Sequence, residues 1–295
     1  AYTAAQYNQP FDLGAIADAM GYPLYMKPFD GGGCRGVSRV DDREQMYRAY
    51  DGSGEMLMHL QSSMDHDVFA RALSIGPETM VMRYRPERPL HDRYEVAHDF
   101  LTPASGLECT TISRVVNSFF HWEFNSCEML VKFGDDGASD EVYPIDYANA
   151  CPDVAITSLH YYFPWAMKAL VRWSTFAMLT GRTPNLDLRT AEYYAIADRD
   201  DLDYGEKLAA YRALSDAHFD ADRYFDWCDS RLANFDEVAL EWFSGPGLDQ
   251  VIVDTVQATF PAHEHDQFIA HYRGLLGLWC EHEADRLNAG RIEER

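Results

Sequence analysis

Apolar and polar positions alternate over short stretches in the first half of the chain. In the second half apolar positions recur every three or four residues over long stretches. A period of two marks a strand, and a period near 3.6 marks a helix. The first half therefore reads as mixed strand and helix. Tyr22–Pro28 is a short apolar strand, a glycine loop follows at Asp30–Gly36, and Val37–Val40 is the next strand. Asp41 or Asp42 caps a helix that runs through Tyr50, with Glu44 in the early position that N-terminal capping chemistry prefers. Glu55–Leu60 reads as a strand, and Val68–Ile75 with Thr79–Tyr84 as a hairpin around Gly76-Pro77. Ser105–Phe119 carries a helical pattern. Trp122–Phe133 and Val142–Tyr147 read as strands joined by the polar turn Gly134–Asp140.

After Pro152 helical periodicity takes over. The segments are Val154–Leu179, Leu188–Ala197, Gly205–Phe219, Asp222–Asn234, Asp236–Phe243, Leu248–Phe260 and His263–Leu287, with Pro184, Pro246 and Pro261 between them. The fold class expected is α+β: antiparallel sheets with helices, followed by an all-helical C-terminal domain. The division expected is 1–153 and 154–295. No low-complexity linker separates the two parts, so they are expected to pack together.

Composition narrows the classes of partner. The chain has 295 residues with a net charge of −23. Such a field opposes nucleic acid and anionic membranes as partners. Its source is either adaptation to high salt or an ordinary acidic surface. No run of about 18 apolar residues marks a membrane span, and the first ten residues carry no basic stretch leading into an apolar one. The six cysteines are scattered and form no CxxC pair, which points to a reduced, cytoplasmic setting rather than a disulfide or zinc framework. Only four lysines occur, Lys27, Lys132, Lys168 and Lys207. An anionic ligand therefore needs local positive charge.

Lys27 lies where that charge is wanted. A strand ends in Lys27-Pro28, and Gly31, Gly32, Gly33, Cys34, Arg35 and Gly36 follow. Glycines let the backbone approach phosphate closely and supply positive φ without steric cost. Successive N–H groups then point at phosphate oxygens, and the lysine adds a point charge. The lysine precedes the glycines, so this is not a Walker loop.

Acidic residues gather further on. Glu123, Asn125 and Glu128 lie on one strand, and Asp146 and Asn149 end the next. Hard oxygen ligands of this kind suit Mg²⁺, which is shared with substrate phosphates. Strand alternation puts Glu123 and Asn125 on one face and Glu128 on the other unless a bulge intervenes. Glu123 and Glu128 are therefore not both expected to bind one metal through a regular strand. His263-Glu264-His265 has neither the spacing nor the direction of a helical metal site and reads as a polar helix start. The aromatic run Ser158–Trp165 reads as packing against the sheet, with a wall of the substrate pocket as the alternative.

Together these residues resemble the ATP-grasp superfamily. Lys27 is similar to its phosphate-binding lysine, and Gly31–Gly36 to its glycine flap. His59, Leu60 and Gln61 fall where its hinge strand contacts adenine. Glu128 resembles the first metal carboxylate, Asp146 the bridging one, and Asn149 the asparagine that follows. Arg71, Arg83 and Arg93 lie where basic residues of the family meet phosphates. The segments Pro28–Val40, Pro144–Asp153 and Ser158–Trp165 also resemble bacterial ATP-grasp proteins in their wording. The likeness covers residues 10–153. Two departures stand out. The family's separate pre-grasp domain does not fit before Tyr22, and Asp146-x-x-Asn149 has one residue more than the family's acidic-x-Asn spacing, which Glu123-x-Asn125 has on the earlier strand, so the resemblance leaves the metal site open between these two pairs.

The resemblance implies ATP and Mg²⁺ as cofactors. It implies a ligase that activates a small-molecule carboxylate as an acyl phosphate for attack by an amine. Lys27, Arg83 and Arg93 would then act on the transferred phosphoryl group. Two alternatives follow from the same residues. One is a catalytically incomplete nucleotide-binding module, completed by a protein partner or a missing N-terminal region. The other is an ATP-grasp phosphotransferase.

Overall fold

The computed structural model describes residues 12–30, 35–135, 139–184 and 190–293. The chain forms two compact units, Ala1–Asp65 and His66–Arg295. These units divide at 65/66, and the change of composition at 153/154 lies inside the second. The reason is visible in the second unit, where sheet and helices share one core.

In the first unit, α1 (Leu13–Met20) and α2 (Arg43–Gly52) accompany three antiparallel strands, β1 (Leu24–Pro28), β2 (Ser38–Val40) and β3 (Met58–Ser62), in the order β2-β1-β3. Asp42 caps α2 by accepting the Gln45 N–H, which decides between the two capping choices in the sequence. Ala17, Leu24, Met26, Val40 and Met46 form the core between sheet and helices. Helix α1 carries no strong sequence signal beyond its Asp12 cap and lies outside the expected elements.

The second unit is built on a five-stranded antiparallel sheet. Its strands are β4 (Val68–Ile75), β5 (Glu78–Tyr84), β6 (Tyr94–Glu95), β7 (Phe124–Lys132) and β8 (Glu141–Ala150), ordered β6-β5-β4-β7-β8. Helix α3 (Pro103–Phe120) starts with Thr102 accepting the Ser105 N–H and with proline in its first turn. Its Cys109 packs with Val68, Ala72, Cys127, Met129 and Val131 on one face of the sheet.

The opposite face meets the helical region: α4 (Ile156–Leu159), α5 (Phe163–Thr180), α6 (Thr190–Ala197), α7 (Tyr204–Phe219), α8 (Ala221–Arg231), α9 (Phe235–Phe243), α10 (Pro246–Thr259) and α11 (His265–Glu293). All described elements after β8 are helices, in agreement with the expected α+β class and helical C-terminal region. Leu73 and Ile75 of the sheet share a continuous apolar core with Trp173, Phe176, Tyr224, Val256 and Tyr272. Burial of this kind stabilises by about 25 cal/mol per Å², so sheet and helices hold each other in place.

The helix expected over Val154–Leu179 is broken. His160 takes φ 54°, ψ −122°, a 3₁₀ turn covers His160–Tyr162, and Pro164 occupies the first turn of α5. Proline is compatible with a helix start and not with its interior. The start expected for the next helix, Leu188, falls within residues 185–189, outside the described residues, so α6 is described only from Thr190. No described helix is long and apolar enough to cross a membrane.

Candidate functional site

In the first unit the alternation of β1 decides which side chains are available. Leu24 and Met26 are buried in the core, so Tyr25 and Lys27 turn to the opposite face. Directly opposed residues of antiparallel strands share a face. Lys27 is opposite His59, and Tyr25 is opposite Gln61 and Arg39. The face away from the helices therefore carries Lys27, His59, Gln61 and Arg39. Leu60 is opposite Met26 and turns inward. Among the described residues no carboxylate lies at ion-pair distance from Lys27. Arg39 is not among the expected site residues; its Nε pairs with Asp41 Oδ1 at 3.0 Å. Period-two counting through β2 is the signal that finds it.

Of the flap, Gly31, Gly32 and Gly33 lie outside the described residues, as does Cys34. Arg35 and Gly36 form an exposed turn. Gly36 has φ +72°, and a Cβ there would stand 2.9 Å from Pro28 Cγ. The turn thus requires glycine on two counts.

In the second unit a polar row crosses the sheet. Arg71 of β4 is opposite Glu128 of β7, and Glu128 is opposite Asp146 of β8. The next pair along is Ser126 with Asn149. Glu128 and Ser126 are two residues apart, whereas Asp146 and Asn149 are three apart. A register shift between Ser126 and Glu128 absorbs the difference. It is a bulge, in which two residues of one strand oppose one of the other. The extra residue in Asp146-x-x-Asn149 therefore leaves both side chains beside Glu128 and Ser126.

Hydrogen bonds tie the row together. Arg71 donates to Ser126 Oγ from Nε at 3.2 Å and Nη2 at 3.1 Å. Asn149 Nδ2 donates to the same oxygen at 2.9 Å. Arg71 Nη1 stands 3.8 Å from Glu128 Oε1, and its guanidinium lies over the Tyr84 ring at 5.7 Å. Burial disfavours the charged form of Arg71, but Tyr94 and Glu128 outweigh it and hold its pKa above the usual value. Burial pushes the Tyr94 hydroxyl up to about 12.

The remaining expected residues are dispersed. Glu123 accepts from Trp173 Nε1 at 2.8 Å and from Arg182 Nη1 at 3.0 Å. Asn125 is fully buried beside Cys127 and donates to Tyr147 O at 2.9 Å. The structure thus separates Glu123 and Asn125 from the row and gathers Glu128, Asp146 and Asn149. Arg83 is opposite Ala70 and Glu95, one residue out of phase with Arg71 and so on the other face. Its Nε is 3.5 Å from Glu95 Oε2. Arg93 donates to Tyr84 Oη at 3.2 Å and so stands near Arg71. The sequence places Arg71 only with Arg83 and Arg93 as a basic residue; its register opposite Glu128 is the feature that sequence alone does not show.

Among the described residues no group of three or more His, Cys, Asp or Glu side chains is placed so that it could hold a metal ion. Glu128 and Asp146 are opposed across β7 and β8, and Asn149 lies at the next pair, opposite Ser126. That donor set fits Mg²⁺, which needs few protein ligands because waters and phosphates complete its shell. Neither known family models nor curated proteins give a match to this chain.

Proposed function

We propose that this chain is an ATP- and Mg²⁺-dependent ligase domain that activates a carboxylate as an acyl phosphate for attack by an amine. The observation that carries the reading is the row Arg71–Glu128–Asp146, with Asn149 brought into line by the β8 bulge. Opposed carboxylates beside a half-buried arginine suit a metal shared with a polyphosphate: the acids hold the cation, and the guanidinium meets phosphate oxygens. The assignment of Lys27 is made separately, from its own unit. There it stands on an open sheet face with His59 and Gln61, next to a turn that requires glycine.

In this reading Glu128, Asp146 and Asn149 hold Mg²⁺, which supplies charge neutralisation for the transferred phosphoryl group. Arg71 and Arg93 orient and neutralise phosphate oxygens there, and Lys27, assigned within its own unit, is a phosphate-binding charge. Arg83, on the far face with Glu95, organises β5 and β6 instead.

The test is release of ADP and phosphate across a panel of carboxylates, each with and without amines. The reading predicts ADP release that requires a carboxylate and Mg²⁺, with product formed only when an amine is present. Phosphate transfer to a hydroxyl acceptor, without any carboxylate, would replace ligase by phosphotransferase. Nucleotide binding without turnover on any pair would leave a binding module.

A further inference from the structure

A cavity of about 600 Å³ lies in the second unit, among α5, α9 and α11. That volume is in the range of small-molecule sites. Four aromatic side chains, Tyr161, Tyr162, Trp165 and Trp279, supply flat apolar surface. The rest of its lining carries charge of both signs: Lys168, Arg172 and Arg286 against Asp236, Glu283 and Asp285.

Much of that charge is buried and paired. Lys168 pairs with Glu283, and its Nζ stands 2.9 Å from Asp236 Oδ1. Arg286 Nε is 2.8 Å from Glu283 Oε2. Arg172 donates from Nε to Glu78 Oε1 at 2.9 Å. Burial raises the Asp236 and Glu283 pKa values, but Lys168 and Arg286 outweigh it and hold both below the usual range. A packed interface gains little from such a network, since desolvation offsets the attraction. Here the network forms the wall of a cavity.

Not every group is paired. Among the described residues Asp285 has no ion-pair partner, and Arg286 is about half exposed, with Nε and Nη2 engaged by Glu283 and Asp236. His98 and His282 both approach the Tyr161 hydroxyl, at 3.4 Å and 2.8 Å. A purely anionic ligand would face three carboxylates here, and a purely cationic one three cations. A small zwitterion bearing a flat ring satisfies both signs and the aromatic surface.

We propose that this cavity binds a free aromatic amino acid. Its ammonium group faces Asp285, its carboxylate faces Arg286, and its ring lies among Trp165, Trp279, Tyr161 and Tyr162. The site stands independently of the nucleotide reading, because none of its residues belongs to the polar row on the sheet.

The test is calorimetric titration of the full chain with L-phenylalanine, L-tyrosine and L-tryptophan, alongside hydrocinnamate, which lacks the amine, and phenethylamine, which lacks the carboxylate. At least one amino acid is expected to bind about tenfold or more tightly than either analogue. Asp285→Asn should reduce its affinity to that of hydrocinnamate, and Arg286→Gln to that of phenethylamine. Both positions are exposed, and circular dichroism confirms that the variants fold. The proposal is overturned if none of the three amino acids binds at millimolar concentration, if a singly charged analogue binds as tightly, or if both folded variants bind unchanged.

Discussion

Lys27 owes its availability to its neighbours: Leu24 and Met26 take the buried face of β1 and leave the lysine on the other. Single residues elsewhere are held by equally local causes. Gly76 turns the β4–β5 hairpin at φ +53°, and a Cβ there would stand 2.3 Å from Trp173 Cδ2. Gly76→Ala is expected to cost about 2 kcal/mol or more through backbone strain and overpacking, measured by urea unfolding. His160 shows the reverse case of a polar group deep in the core. Burial lowers its pKa to about 4 from 6.5, against the raising effect of its bond to Leu90 O. The unfolded chain then binds the proton more readily than the folded one. Its stabilising contribution is full above pH 6.5 and is lost as pH falls toward 4. The expected loss is about 3 kcal/mol, and a His160→Phe variant that folds should show a flatter profile over that window. An identical profile would remove His160 as the cause.

Elements are legible where periodicity is regular. The β4–β5 hairpin, an aspartate cap at Asp41 or Asp42 and most of the C-terminal helices follow directly from the pattern. Helix α1 and the two-residue β6 are not legible, because such short elements take their conformation from what they pack against. The break at His160 is also hidden, since apolar spacing runs on through it. In the candidate site, residue types are legible but their grouping is not. Nothing in the chain shows that a bulge brings Asn149 level with Ser126, or that Glu123 is taken by Trp173 and Arg182. The bulge itself can be tested. Deleting Ala148 would remove the register shift between Ser126 and Glu128 and leave Asp146 and Asn149 two apart, still on one face. Magnesium-dependent nucleotide binding should survive that deletion, whereas an insertion after Ala148 should abolish it. Equal loss in both, with folded protein, would contradict the assigned register.

At the scale of the molecule, the chain divides after Asp65 and not at the change in composition. Composition marks where strands give way to helices. Compactness follows buried contact, and Leu73 and Ile75 share their core with Trp173 and Tyr272. Lys27 belongs to one unit and the polar row to the other, so each is tested by its own variant. The direct measurement is calorimetric titration of the full chain with a nonhydrolysable ATP analogue, with and without Mg²⁺, repeated on Lys27→Ala and Asp146→Asn. The account predicts binding that depends on Mg²⁺ and weakens about tenfold or more in each folded variant. No binding to the folded chain, or unchanged binding in both variants, would contradict it.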